Sequence, residues 1–418
     1  STAFDESYKD AVRQLSAPLI SSGDASVSNA AVEVSYYFSL DDISSSGDGY
    51  THISGSRQQG LSYRGTASYS FLLDAQLDRF TLDLHGGFDG LDVSEKEPLR
   101  NSLISAASAP KDRTSYVYNT IKRGIDSCSD PEVVEYNLMT APGIYDPGIT
   151  SHMINVCEDR GDAMAIIDLE DDYVPFTENN SAQSSRKGSV SSAIDSLRQR
   201  AINSSYGCAY YPWVQIRDPQ TATRVWVPPS VAALGTFASS EKQAELWFAP
   251  AGFNRGGLTE GAAGLPVINV ALRLSSDDRD KLYAANINPI ATFPSEGIVI
   301  FGQKTLQVTP SALDRVNVRR LMIFVKKQIS RMARDILFDQ NVQATWHRFL
   351  AKVKPFLLSV QTRFGLDEWK VVLDETTTTP DLIDRNIMYA KIFLKPTKAI
   401  EFIALDFTIT NDGAAFAD

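Results

Sequence analysis

The chain has few of the residues that build disulfides or metal sites. It holds three cysteines, Cys128, Cys157 and Cys208, and four histidines among 418 residues. An odd, widely spaced set of cysteines argues against a disulfide framework and is typical of a reducing compartment. The histidines show none of the paired spacings of zinc sites, such as HExxH. We therefore expect no metal and no cofactor.

Long apolar runs and phosphate-binding loops are also missing. No uncharged stretch is long enough to span a bilayer, and the first residues, STAFDESYKD, lack the basic and apolar parts of a signal peptide. No GxxxxGK[ST], GxGxxG or GxSxG segment occurs, so neither a nucleotide cradle nor a nucleophile elbow is predicted. These absences predict a protein that is not an enzyme, has no stable membrane insertion and is made in the cytoplasm. The chain does not begin with Met, which fits a processed or trimmed fragment.

Charge is distributed unevenly along the chain. The net formal charge is −11, but residues 301–418 carry 17 Lys and Arg against 13 Asp and Glu, a net of +4. The first 300 residues therefore carry −15. Within residues 301–363, 12 basic residues stand against 3 acidic ones. A basic patch of this kind commonly marks an acidic partner, whereas the acidity of the first 300 residues argues against nucleic acid.

Hydrophobic patterning divides the chain into three regions. Residues 1–74 are rich in Ser and Gly and predict peripheral loops and short strands. Residues 75–300 predict an α/β domain, because apolar runs alternate with helical patterns; the runs are 80–84, 133–139, 163–169 and 207–213, and the helical patterns are 149–159 and 189–202. The expected fold is a mostly parallel or mixed sheet flanked by helices. Residues 301–418 predict an α+β C-terminal domain.

A basic amphipathic helix is predicted over residues 318–336. Apolar side chains recur there at helical spacing. Six basic residues gather on the other side: Arg319, Arg320, Lys326, Lys327, Arg331 and Arg334. Three interpretations are open: a solvated helix face, a patch for a membrane surface or nucleic acid, or an electrostatic dock for an acidic protein.

The rest of the C-terminal region predicts a second helix and two strands. The helical pattern over 342–364 is interrupted by Pro355, which predicts a kink or two helices. A strand is predicted at 387–394, and another at 400–410. In the last strand the apolar residues alternate with small or polar ones: Ile403, Leu405, Phe407 and Ile409. It is interpreted either as an edge strand paired within the chain or as an element shared between subunits.

Two segments admit a catalytic or metal-binding interpretation beside a structural one. The run His85-Gly86-Gly87 is compatible with the oxyanion loop of lipase-like hydrolases, or with a sharp glycine turn. An acidic run follows an apolar strand pattern, where it would hold Mg²⁺ or Ca²⁺ or lie in solvent: Asp168, Glu170, Asp171 and Asp172.

A third segment, from Tyr210 to Leu258, is rich in aromatic residues. Tyr210, Tyr211, Trp213 and Trp226 lie near Arg217 and Arg224 in sequence. Such residues stack the bases of single-stranded nucleic acid in some proteins, and build an aromatic core with rigid proline turns in others.

Four segments together resemble the tail sheath proteins of contractile bacteriophages (myoviruses). They are LHGGFDG at 84–90, APG at 141–143, the stretch from YYPWVQIRDP to APAGFNRGGL at 210–258, and the glycine-punctuated strand and basic helix at 286–346. They follow the family order and together cover most of residues 80–418. The resemblance implies a structural subunit that polymerises helically around a tail tube. It also implies contraction that drives the tube through the host envelope without consuming nucleotide.

The same resemblance implies partners and a place for each region. The partners are further copies of the chain, the tail tube protein, and baseplate and tail terminator proteins; the location is the virion tail, assembled in the host cytoplasm. Residues 301–418 would build the sheath wall facing the tube, with the basic helix towards an acidic tube surface, and strand 400–410 would be donated to a neighbour. An α/β hydrolase-like enzyme and a surface ligand-binding module are the alternative functions.

Overall fold

The computed structural model describes residues 43–45, 50–52, 99–104, 115–179, 181–259, 264 and 266–401. The chain divides into two compact units, residues 1–92 and 93–418. In the first unit, strand β1 (Ile43–Ser45) pairs antiparallel with strand β2 (Tyr50–His52). The predicted strand at 80–84 and the His85-Gly86-Gly87 run lie outside the described residues.

The described part of the second unit alternates strands with helices. Its strands are β3 (Leu138–Thr140), β4 (Met164–Ile167), β5 (Gly207–Tyr211), β6 (Val214–Arg217), β7 (Arg224–Val227), β8 (Val267–Val270), β9 (Ile287–Phe293), β10 (Gly297–Ile300), β11 (Leu366–Val372) and β12 (Lys391–Pro396). Its helices are α1 (Asn101–Ile104), α2 (Tyr116–Asp126), α3 (Pro147–Arg160), α4 (Val190–Gln199), α5 (Pro229–Gln243), α6 (Gly252–Arg255), α7 (Ser276–Ala284), α8 (Val316–Arg334), α9 (Gln343–Thr362) and α10 (Pro380–Asp384). Short 3₁₀ turns occupy Gln183–Arg186 and Ala312–Asp314.

A five-stranded mixed sheet forms the centre of this unit, in the order β10-β9-β5-β4-β3. Strands β3, β4, β5 and β9 run parallel, and β10 pairs antiparallel with β9. Strands β4 and β5 are buried along their whole length, as expected of parallel strands covered on both faces. The predicted α/β class is confirmed, and the runs at 163–169 and 207–213 correspond to β4 and β5.

The helical patterns of the α/β region are confirmed as α3 and α4. The ends of α3 follow from local chemistry. The Asp146 carboxylate accepts hydrogen bonds from the amides of Gly148 and Ile149, and Gly161 closes the helix at a φ of 65°. The predicted strand over 133–139 is largely wrong, because only Leu138–Thr140 pairs with the sheet while Val133 is exposed.

Two hydrophobic cores meet at helix α8. Val316 and Ile323 belong to the core of the central sheet. Leu321 and Val325 belong to a second core, built by α8, α9, the β11–β12 hairpin and Trp247. Helix α8 is therefore packed on more than one side over its first half. The predicted domain boundaries, 74/75 and 300/301, stay predictions.

The second core rests on a single long helix and a two-stranded sheet. Helix α9 runs without a break through Pro355, so the alternative of two helices is wrong. Pro355 is exposed, while Trp346, Val353 and Leu357 are buried on the other side, and this packing holds the helix together across the proline. Strands β11 and β12 pair antiparallel, with a register shift between Leu366 and Glu368. The strand predicted at 387–394 is found at Lys391–Pro396.

Candidate functional site

The six basic residues of the predicted docking face divide into a buried pair and a group towards the end of α8. Arg319 and Arg320 are only 8% and 5% exposed. Arg319 contacts the Ser205 hydroxyl, and its guanidinium lies 4.0 Å from the centre of the Tyr206 ring. These two arginines do not form an accessible face, because both are packed against elements that surround the central sheet. The expectation of a basic surface is therefore wrong for Arg319 and Arg320.

Arg320 is held by an ion pair and an aromatic ring. Its Nη2 atom donates to Oε2 of Glu241 at 2.9 Å, and its guanidinium carbon lies 4.9 Å from the centre of the Phe237 ring. Burial lowers the pKa of Arg320, while Glu241 opposes that shift. The side chain thus joins helix α8 to helix α5.

The next part of α8 faces acidic residues of the same chain. Lys327 Nζ lies 3.2 Å from Oε1 of Glu135 and 3.9 Å from Oδ2 of Asp162. Arg331 also contacts Glu135, and Arg334 Nη2 lies 3.8 Å from Oε1 of Glu132. A hydrogen bond from Lys327 is the main cause of the lowered pKa of Glu135. Much of the basic charge of α8 is therefore paired with the segment before β3.

Lys326 lies beside the C-terminal end of α3. A Cβ atom added to Gly161 would stand 2.3 Å from Lys326 Nζ. A lysine at this end of a helix complements the partial negative charge of the helix dipole. Lys326, Arg331 and Arg334 are exposed, so these three side chains remain accessible to a partner.

The end of the described chain is fixed by Glu401. Arg315 donates to both of its carboxylate oxygens, at 2.6 and 2.9 Å. The Tyr283 hydroxyl donates at 2.8 Å and Gln303 Nε2 at 3.3 Å. Burial opposes the ionised form of Glu401, but the bonds from Arg315 and Tyr283 keep its pKa below the ordinary value. Residues 403, 405, 407 and 409, the apolar face of the predicted inter-subunit strand, lie outside the described residues.

Two carboxylates of the acidic run after β4, Asp168 and Asp172, are buried and bonded within the fold, whereas Glu170 and Asp171 are exposed. Asp168 accepts hydrogen bonds from the Gly143 amide at 2.8 Å, the Ser230 amide at 3.1 Å and the Ser230 hydroxyl at 2.7 Å. Burial raises its pKa to about 6, against these bonds. The buried Asp172 accepts from the Trp213 amide at 3.2 Å. In the described part of the chain, no group of three or more His, Cys, Asp or Glu side chains has metal-site geometry.

Sequence reasoning missed the set of hydrogen bonds from Gly143 and Ser230 to Asp168. It ties the loop after β3 and the start of α5 to the end of β4. The available signal was an aspartate at the end of a buried strand together with a serine in the Pro-Pro-Ser start of a helix, 62 residues away.

The aromatic rings at the start of the 210–258 segment lie in the core. Tyr210, Tyr211 and Trp213 are buried, and the Trp226 ring lies 5.1 Å from that of Tyr173. Buried rings cannot stack nucleic-acid bases. His152 Nε2 lies 2.6 Å from Oδ1 of Asp126, and His85, the other histidine of the hydrolase alternative, lies outside the described residues. Among the described residues, no helix combines the length and apolar content needed to cross a bilayer.

Comparison with known proteins gives the family of the C-terminal part. Residues 308–410 match the phage tail sheath C-terminal domain. The tail sheath protein of Vibrio phage KVP40 is 31% identical over 308 residues, which are 71% of this chain and 45% of that protein. The tail sheath protein of Enterobacteria phage T4 is 36% identical over 191 residues, which are 46% of this chain and 28% of that protein. Residues 308–410 belong to the phage tail sheath C-terminal domain family, and the matched chain is similar to phage tail sheath proteins.

The fold is similar to that of a solved sheath chain. The chain is similar to one in the contracted sheath complex of PVC, an extracellular contractile injection system, with a TM-score of 0.55 and 24% identity over 68% of this chain and 74% of that one. The matched family domain contains α8, α9 and the β11–β12 hairpin, which are the elements of the second core. The chain spans less than half the length of either phage relative.

Proposed function

We propose that this chain is the structural subunit of a contractile tail sheath, which polymerises helically around the tail tube and contracts to drive the tube through the host envelope. The observation that carries the proposal is the sheath C-terminal domain at residues 308–410. We place the chain in the virion tail, assembled in the host cytoplasm, with tail tube, baseplate and tail terminator proteins as partners. It acts without catalysis, and no observation favours a hydrolase or a ligand-binding module.

The β11–β12 hairpin supports a role in polymerisation. Within the described residues its two strands pair only with each other, which leaves both outer edges without a strand partner among those residues. Such edges accept strands from other chains, and a sheet of two strands is marginally stable alone. Strand 400–410, donated by one subunit, would extend the hairpin of another. Head-to-tail contacts that do not close generate a helical polymer.

The exposed end of α8 supports a contact with an acidic tube surface. Lys326, Arg331 and Arg334 carry positive charge at the surface, and opposite potentials favour docking. This narrows the original six-residue patch to three residues. The pairs with Glu132 and Glu135 reduce the free charge of Arg331 and Arg334, which leaves Lys326 as the main candidate.

Negative-stain electron microscopy and sedimentation velocity test the assembly proposal. The chain is prepared with and without purified tail tube protein, beside a variant that lacks residues 402–418 and so keeps the Glu401 anchor. We expect hollow striated tubes for the chain and none for the deletion variant. A chain that stays monomeric at high concentration with the tube protein present would contradict the proposal.

A charge-reversal pair tests the tube contact. Lys326→Glu should weaken assembly around tubes more at low salt than at high salt, because screening reduces surface electrostatics. Lys354→Glu makes the same change at another exposed position, on α9, and serves as the matched control. Equal assembly by the two variants at low salt would remove the basic end of α8 from the tube contact.

A further inference from the structure

Three phenylalanine rings form an exposed cluster, which we name the aromatic patch: Phe253, Phe293 and Phe301. Their ring centres lie 4.9, 5.1 and 5.5 Å apart. Phe253 is 51% exposed and Phe301 is 42% exposed. Phe253 belongs to the short helix α6, Phe293 ends β9 and Phe301 follows β10. The patch therefore gathers three separate elements at one edge of the central sheet.

Among the described residues, an arginine packs against one side of the patch. The Arg279 guanidinium lies 4.9 Å from the centre of the Phe293 ring and 5.7 Å from that of Phe301, and it holds one side of the cluster in place. Large apolar groups that are contiguous and exposed usually mark binding surfaces. Rigid aromatic side chains are favoured at such surfaces because they bury much area at little cost in entropy.

The described chain ends beside this patch. A cavity of about 280 Å³ is lined by residues that include Arg279, Phe301, Ile400 and Glu401. Ile400 is 84% exposed. The bonds from Arg315 and Tyr283 to Glu401 fix the point from which the remaining chain leaves. Whatever follows Glu401 begins at the border of the patch.

The sequence that follows suits an apolar surface. Residues 402–410 read FIALDFTIT, with Asp406 as their one charged residue. In an extended chain, Ile403, Leu405 and Phe407 share one face. Residue 405 lies within about 14 Å of Glu401, because an extended chain advances at most about 3.5 Å per residue. The segment can thus reach the rings of the patch.

We propose that, in the free subunit, the aromatic patch binds residues 402–410 of the same chain and so withholds this strand from other subunits. The short tether from Glu401 gives the segment a high effective concentration at the patch. Donation to a neighbour then requires release from the patch, and assembly becomes a competition between two sites for one strand. The withholding of this strand from other subunits rests on the proposed sheath function, whereas its binding to the aromatic patch does not.

Disulfide trapping tests the contact. In a Cys128→Ser background, Phe253→Cys and Leu405→Cys are combined, since Cys157 and Cys208 are buried. The protein is oxidised at a dilution where sedimentation shows monomers. We expect a disulfide within one chain, seen as faster migration on a non-reducing gel.

A matched pair shares Leu405→Cys but places the second cysteine at Phe338, the exposed residue beyond the far end of α8. Helix α8 has 19 residues and is therefore about 28 Å long, beyond the reach of residue 405 from its anchor beside Arg315. Equal trapping in the two pairs would overturn the proposal. So would an unchanged binding of a hydrophobic dye after deletion of residues 402–418, since the deletion should uncover the patch.

The competition is tested separately from the sheath function. The oxidised Phe253→Cys/Leu405→Cys chain should form no tubes, and reduction should restore them. Tubes from the oxidised chain would contradict the competition. If neither this chain nor the unmodified chain forms tubes while trapping succeeds, the sheath proposal fails and the patch contact stands.

Discussion

The central sheet and the β11–β12 hairpin differ in how the hydrogen-bonding groups at their strand edges are paired. In the sheet, β4 and β5 are buried at every position, and the outer edge of β10 is bonded to residues 256–258. In the hairpin, exposed and half-buried residues alternate along β12, and its described partner is β11 alone. The central sheet therefore has its β10 edge bonded by its own chain, whereas in the hairpin no described strand pairs with either outer edge. This difference is why we propose the hairpin as the element that is extended during assembly.

The largest expected loss of stability comes from a cavity in the central sheet. Ile166→Ala in β4 should lower the free energy of unfolding by about 2–5 kcal/mol, because the side chain is fully buried. Phe393→Ala in β12, where the ring is 56% exposed, should cost the free chain less than about 1 kcal/mol and weaken tube formation instead. Urea unfolding and electron microscopy of both variants measure this contrast. Similar losses of unfolding free energy in the two variants would contradict the expected contrast.

A smaller effect is expected where α8 passes between the two cores. Arg320→Ala should lower the free energy of unfolding by about 1–3 kcal/mol, since it removes the ion pair with Glu241 and the packing on Phe237. Arg334→Ala, at the exposed end of the same helix, should change it by less than about 0.5 kcal/mol. Thermal and urea unfolding would show the difference. Equal costs would mean that Arg320 is not held as described.

The smallest expected effect is a pH dependence of the unfolding free energy, which arises from Asp168 at the end of β4. The pKa of Asp168 is raised from 3.8 to about 6. Its stabilising contribution is therefore fully present below pH 3.8 and lost as the pH rises through 6. Relative to Asp168→Asn, the chain should gain about 1 kcal/mol of unfolding free energy between pH 7 and pH 5. A difference between the two proteins that does not vary with pH would contradict the raised pKa.

Elements with a strong local pattern were predictable from the sequence. The buried runs of β4 and β5 and the amphipathic spacing of α3, α4 and α8 each give a signal within a dozen residues. The run at 133–139 resembles a strand, yet most of it faces the basic end of α8 instead of the sheet. A local pattern does not specify which distant element covers a segment.

The candidate site was less predictable because its contacts join distant residues. Arginines at helical spacing indicate a solvated face, but Arg319 and Arg320 are enclosed because they pack on Tyr206 and Phe237 beside the central sheet. The anchor between Arg315 and Glu401 spans 86 residues. The aromatic patch combines α6 with the ends of β9 and β10. Each depends on the tertiary arrangement and leaves no periodic signal in the sequence.

Hydrogen exchange by mass spectrometry, on the free chain and on sedimented tubes, tests most directly the claim that assembly completes the hairpin. Amides of β4 and β5 should be protected in both states, whereas amides of β11 and β12 should exchange faster in the free chain and become protected in tubes. The same exchange of β11 and β12 in both states would contradict the account.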